Sequence, residues 1–204
     1  MITQRKQLTS VARLFMTLLF LCGWVGCTLD QSKPSAPLCS ESTVAGLQPG
    51  LAVRYFKGYF RHVMEMPHGI AAQGSGWQGS PILQLNHRFG KGEVFDSGAS
   101  RGIGMEMTGF IHFSSPGRYM FKAKSNDGIR ITINDKVIVS DEGVHADRYS
   151  QPGTVDVKKS CWYPMLISYF QRKGTAMLEL YWKTPDVNTF SIVPEGAYAH
   201  KKNL

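Results

Sequence analysis

Gly128-Ile129-Arg130-Ile131-Thr132-Ile133-Asn134, preceded by Ser125-Asn126-Asp127, is the stretch that decides the fold. Ile129, Ile131 and Ile133 point one way and Arg130, Thr132 and Asn134 the other, which is the period of a strand with one face buried. Working outward, Tyr119, Phe121 and Ala123 alternate with Met120, Lys122 and Lys124, and Leu178, Leu180 and Trp182 with Glu179, Tyr181 and Lys183. Val155 and Val157 repeat the pattern beside Asp156 and Lys158, while residues 165–170 are nearly all apolar and are expected deep between layers. Ser115-Pro116-Gly117, Asn126-Asp127-Gly128, Asn134-Asp135 and Lys173-Gly174 suit tight reversals. Consecutive strands are therefore expected to pair as antiparallel hairpins. After Leu47 no helical period is sustained over ten residues, so the prediction is an all-β, antiparallel, jelly-roll-like β-sandwich. Residues 61–89, with Gly69, Gly74, Gly76, Gly79 and Pro81, form a long irregular excursion of the kind that carries function or mobility.

The chain has 204 residues, 43% of them hydrophobic and 19% charged, which suits one globular domain with an appendage rather than a disordered chain. The 21 glycines and 10 prolines fit many short strands joined by turns. Residues 1–26 have the order of a secretory signal: Arg5, Lys6 and Arg13, then an apolar run from Leu14 to Gly26 that is short for a bilayer span. The run ends at Val25-Gly26-Cys27, which resembles the lipobox of bacterial lipoproteins, with Trp24 where that family usually has Leu. The resemblance implies cleavage, lipid on Cys27 and, because Thr28 follows, sorting to an outer membrane or cell surface; an uncleaved anchor helix is the alternative. Several acyl chains hold a protein durably, since each buried methylene contributes about 0.8 kcal/mol.

Residues 27–46 carry the anchor and then, rich in Ser and Pro, read as a flexible tether with a reach of about 25 Å. Domain boundaries of 1–26, 27–46 and 47–204 follow. Cys22 leaves with the signal and Cys27 takes lipid, so Cys39 and Cys161 are an even pair in an oxidising compartment. A disulfide between them is expected, with two free thiols as the alternative. The formal net charge of +8 becomes +5 without Arg5, Lys6 and Arg13. No dense basic run accompanies it, which argues against nucleic acid and for attraction to anionic envelope lipids or polymers.

Four segments in order resemble the PA14 domain, the β-sandwich module of a toxin protective antigen, glycosidases, yeast adhesins and bacterial surface proteins. They are Gly50-Leu51-Ala52-Val53-Arg54-Tyr55-Phe56; Met107-Thr108-Gly109-Phe110-Ile111 running into Pro116-Gly117-Arg118-Tyr119-Met120-Phe121; Ser125 to Ile133; and Leu178-Glu179-Leu180-Tyr181-Trp182-Lys183-Thr184-Pro185. The match spans about residues 47–199. In sugar-binding members, two acidic residues joined by a cis peptide hold calcium, and the ion coordinates sugar hydroxyls. The matching positions are Asn126 and Asp127, where the first acid has become an amide, followed by Gly128. A second family loop maps onto Gln171, Arg172, Lys173 and Gly174, which places two cations where a metal wants oxygens.

Asp127 is thus the candidate calcium ligand, and Asp127-Gly128 reads equally well as a plain hairpin turn. Asp141, Glu142, His145 and Asp147 put four potential ligands in seven residues, a pattern that reads better as a solvated acidic turn. His62, Glu65 and His68 share a three-residue spacing but read better as surface residues than as metal ligands. Trp162, Tyr163 and Trp182 suit the core or its flank, whereas Trp77, in the glycine-rich excursion, is the aromatic candidate for ligand contact. No nucleophile elbow or acid/base pair marks an enzyme. The reading is an envelope-anchored module that binds a glycan or cell-wall polymer. The alternative is an assembly component that docks on an envelope protein without sugar or metal.

Overall fold

The computed structural model describes residues 36–202. In chain order the strands are β1 Leu47–Pro49, β2 Ala52–Lys57, β3 Trp77–Gln78, β4 Asn86–Gly90, β5 Ile103–Phe113, β6 Gly117–Asn126, β7 Ile129–Ile133, β8 Lys136–Asp141, β9 Arg148–Tyr149, β10 Gly153–Val157, β11 Cys161–Gln171, β12 Ala176–Lys183, β13 Ser191–Ile192 and β14 Tyr198–Lys201. Helix is confined to short turns, and among the described residues no helix is long and apolar enough to cross a membrane.

Two antiparallel sheets face each other. The first runs β1-β14-β5-β11-β7-β8, with β2 on β5 and β3 beyond β2; the second runs β10-β6-β12-β13, with β9 on β6 and β4 on β12. Ile129, Ile131 and Ile133 are buried in the common core with Tyr119, Phe121, Leu178 and Leu180, as the alternation predicts. Fully burying such a side chain contributes roughly 1.5–3 kcal/mol. A one-residue slip of β7 would turn all three isoleucines outward, so register is strongly specified.

The apolar run in β11 lies at the centre of its sheet, between β5 and β7. Met165, Ile167 and Tyr169 face the core, while Phe170 packs on the other face against Val63, Met66 and Phe60 from the irregular excursion. Trp182 is half-buried against Phe113, Tyr119 and Phe121.

Two expectations need correction. Of the four reversals named in the sequence, Asn134-Asp135 closes a two-residue hairpin, Ile133 pairing with Lys136, and both of its residues have positive φ as that turn requires. The other three do not close hairpins: residues 114–116, 127–128 and 172–175 each carry the chain from one sheet to the other. Hairpins and inter-sheet arches both reverse the chain and both keep alternate residues inward, so alternation cannot separate them. The second correction concerns the tether. Its residues 36–46 are held against the domain: Leu38 and Trp162 exchange backbone hydrogen bonds of 2.7 and 3.0 Å, and Cys39 is bonded to Cys161 as expected. Ser/Pro-rich composition marks a segment that cannot fold alone, but a cross-link supplies what the segment lacks. Cys22 and Cys27, with the signal segment, lie outside the described residues.

Candidate functional site

The arch Asn126-Asp127-Gly128 sits where β6 ends against β12 and β7 begins against β11. Its Asn126-Asp127 peptide is cis, as the resemblance implies for these positions. Asp127 N–H donates to the Phe170 carbonyl oxygen and Phe170 N–H to the Gly128 oxygen, both at 3.1 Å, which stitches the arch to β11. Gly128 is required by close approach, because a Cβ there would run into the Glu142 carbonyl and the Phe170 ring.

The side chains of the pair work as ties. The Asp127 carboxylate is buried; Oδ1 accepts the His145 N–H at 3.2 Å and Oδ2 the Arg172 N–H at 2.8 Å. Asn126 Nδ2 donates to Asp147 Oδ1 at 2.9 Å and to Thr175 Oγ1 at 3.3 Å, and its carbonyl accepts the Tyr169 hydroxyl at 2.7 Å. Burial, and then the negative charge of Asp127, push the Tyr169 hydroxyl well above its ordinary pKa, so it stays protonated and remains a donor. Loop 141–147 and loop 171–175 are thereby fastened to one arch.

The excursion joins them, since Val63 N–H donates to the Glu142 oxygen at 3.1 Å and His62 bridges to Gly143. Within loop 141–147 Asp141 and Glu142 are half-buried and paired rather than solvated, whereas Asp147 is exposed. Glu142 accepts from Arg130 and Ser140, and Asp141 accepts from Arg148 Nε at 2.9 Å. Gln171 is fully buried; its Nε2 donates to the Thr175 carbonyl at 3.1 Å, and its Oε1 has no partner among the described residues. Arg172 Nε is likewise buried and without one. Outward from these ties, Asp147, Lys173, Gly174 and Thr175 are exposed.

These residues do not fit calcium. The ion takes six to eight oxygens and gains affinity with each carboxylate. Here both Asp127 oxygens are taken by backbone N–H groups, and Asn126 turns its amide hydrogens toward Asp147. Among the described residues no three His, Cys, Asp or Glu side chains converge on a metal position. His62, Glu65 and His68 serve the excursion itself: His62 Nδ1 accepts the Met64 N–H, Glu65 the Arg61 N–H, and His68 Nε2 lies 2.8 Å from the Val63 oxygen.

Asn126, Asp127, Gly128, Gln171 and Arg172 are thus brought together, and Trp77 is not. Trp77 pairs with Tyr55 on β2, and β2, β5 and β11 separate it from β7, a path of roughly 19 Å at the usual strand spacing. It is 38% exposed at the sheet edge, with its ring 5.8 Å from that of Tyr55. Tyr169, Thr175 and the backbone of His145 were not foreseeable as site groups. Their role depends on which loops the arches bring together, and only Asp147 carried a signal, as an acid in a loop already rich in ligands.

Comparison with known proteins places this geometry. The model of the PA14 domain family matches residues 48–196. Among solved structures, the PA14 domain of the antifreeze protein MpAFP superposes with a TM-score of 0.64 at 12% identity, over 76% of this chain and 92% of that one. The A domain of epithelial adhesin 9 from Candida glabrata, in complex with Galβ1-4GlcNAc, gives 0.62 at 10% identity over 83% and 95%. A PA14 sugar-binding domain from an RTX adhesin gives 0.51 at 18% over 74% and 98%. No curated protein sequence matches the chain. The family model covers most of the β-sandwich and the whole of the tied arch, and the chain belongs to the PA14 domain family.

Proposed function

We propose that this chain is an exported, lipid-anchored, non-catalytic recognition module that binds carbohydrate without calcium at the rim formed by the 126–128 arch and loops 141–147 and 171–175. The observation that carries the reading is the use of one buried carboxylate and one amide to fix two loops, leaving Asp147, Lys173 and Thr175 exposed on a pre-organised polar edge. Hydroxyl-rich ligands need donors and acceptors held in place, and this edge offers both. Similar folds include sugar-binding and adhesin domains. The Cys39–Cys161 disulfide supports passage through an oxidising compartment, and Cys27 at the end of the signal-like segment supports the anchor.

A glycan array probed with the purified chain tests the reading. Binding is expected to survive a chelator, to fall at least tenfold in Thr175→Ala and Asp147→Ala, and to vanish in Asp127→Ala. Failure to bind any glycan with or without calcium, together with stoichiometric capture of an envelope protein, would replace it with an assembly role. For that role the internally satisfied Asn126-Asp127 pair would be purely structural.

A further inference from the structure

The outer face of the second sheet carries a group of side chains unrelated to the loop rim. Lys122 Nζ lies 4.2 Å from the centre of the Tyr149 ring, 4.5 Å from that of Phe190 and 5.6 Å from that of Tyr181. Lys124 Nζ lies 5.4 Å from the Tyr149 centre, and the Tyr149 and Tyr181 rings meet edge to face at 5.7 Å. Tyr149 is 49% exposed, so part of its ring surface is open to solvent beside the two ammonium groups.

The carboxylates of this face are already committed. Glu179 accepts from Arg88 Nε at 2.6 Å and from the Tyr181 hydroxyl at 2.7 Å, and Asp156 accepts from Arg118 at 2.9 Å. Among the described residues neither Lys122 nor Lys124 forms an ion pair. Glu179 stands directly across from Lys124 and feels its charge, but it is shared with Arg88, so one carboxylate faces three cations and the two ammonium groups over the rings keep an excess of positive charge.

We infer that this sheet face binds an acidic polysaccharide, with one sugar ring stacked on Tyr149 and its carboxylate set between Lys122 and Lys124. A neutral glycan would use the ring and leave the charges idle. An anionic lipid surface would use the charges and could take up the ring edge, but would not stack on its face. A charged sugar uses the ring face and both charges. The site adjoins the proposed rim but uses other side chains: Lys122 and Lys124 lie within β6 ahead of Asn126, and Tyr149 pairs with Lys124 beyond loop 141–147.

Calorimetric titration of the full chain with oligogalacturonate, a neutral maltooligosaccharide and phosphatidylglycerol vesicles tests the inference. Oligogalacturonate is expected to bind, and to weaken as salt is raised. Joint Lys122→Ala and Lys124→Ala substitution should weaken it at least tenfold and flatten the salt dependence, Tyr149→Ala should weaken it severalfold, and Tyr149→Phe and, on the exposed rim, Thr175→Ala should leave it unchanged. Equal binding by the double lysine variant, or binding lost in Thr175→Ala with the lysine variant intact, overturns the site. So does vesicle binding that depends on the lysines but not on Tyr149, which would make the face a membrane contact. Unfolding midpoints of the lysine and tyrosine variants matching the parent would show that any loss is local.

Discussion

The two ends of β11 hold their neighbours by different means. At Cys161 the strand is bonded covalently to Cys39, and Trp162 beside it pairs with Leu38. At Phe170, Gln171 and Arg172, roughly 33 Å along the strand, it is held by hydrogen bonds that converge on the 126–128 arch. The covalent end acts mainly on the unfolded chain, by forbidding its most extended states, and is indifferent to charge. The loop end acts within the folded state and depends on the lone pairs of one carboxylate. A surface that recognises ligands is better placed at the second kind of end, where single substitutions can re-aim loops without disturbing the core.

The largest difference is expected when each tie is cut. The disulfide closes a loop with a sequence separation of 122, so Cys39→Ser should cost about 5 kcal/mol by the chain-entropy argument. The denaturant midpoint should fall and become insensitive to reductant. Asp127→Ala leaves the His145 and Arg172 N–H groups without acceptors and should cost about 3 kcal/mol. Asp127→Asn keeps one acceptor and should cost about half as much. If Asp127→Ala unfolds no more easily than the parent, the loops are held by something other than this carboxylate.

Most of the sandwich was legible because alternation reports burial directly. Ile129 to Ile133, Tyr119 to Ala123 and Leu178 to Trp182 each announced an inner face. Which sheet each strand joins was not legible, since Gly117 and Gly174 permit a reversal without saying whether the returning strand pairs with its predecessor or crosses to the facing layer. The site was legible to the same depth. Asn126, Asp127, Gln171 and Arg172 were visible through the order of the motifs, but their partners come from segments up to 49 residues away and depended on the arches. Trp77 shows the converse: glycine-rich sequence marked it for ligand contact, while strand pairing set it at the opposite edge of its sheet.

A smaller effect sharpens the loop end. Asn126→Asp replaces amide donors that reach Asp147 and Thr175 with a third carboxylate beside Asp127 and Asp147. Like-charge crowding should then cost about 1 to 2 kcal/mol without metal. Calcium should restore the loss, because three converging carboxylates begin to supply the ligand set that the parent lacks. Thermal unfolding with calcium or chelator is expected to show a metal-dependent shift in the variant and none in the parent. A shift in the parent would mean that the backbone ties on Asp127 leave room for the ion after all.

The smallest effect separates the two ends by acid. The hydrogen bond from Arg148 holds the Asp141 carboxyl below its ordinary pKa; burial opposes this, and the charge of His145 adds to it. A depressed carboxyl binds fewer protons in the folded chain than in the unfolded one. Its contribution is therefore complete above the unfolded value of about 3.9 and is lost as pH falls through the folded one. Arg148 is more than half exposed, so solvent screens the pair and keeps the effect modest. Amide exchange across 141–147, measured relative to the intrinsic rate at each pH, should quicken below about pH 4 in the parent. Asp141→Asn should make it fast at every pH, while the pairing of Leu38 with Trp162 stays protected throughout. Equal acid sensitivity at Leu38 would show that the two ends loosen together, and that the contrast between bond and hydrogen bond does not govern local opening in this sandwich.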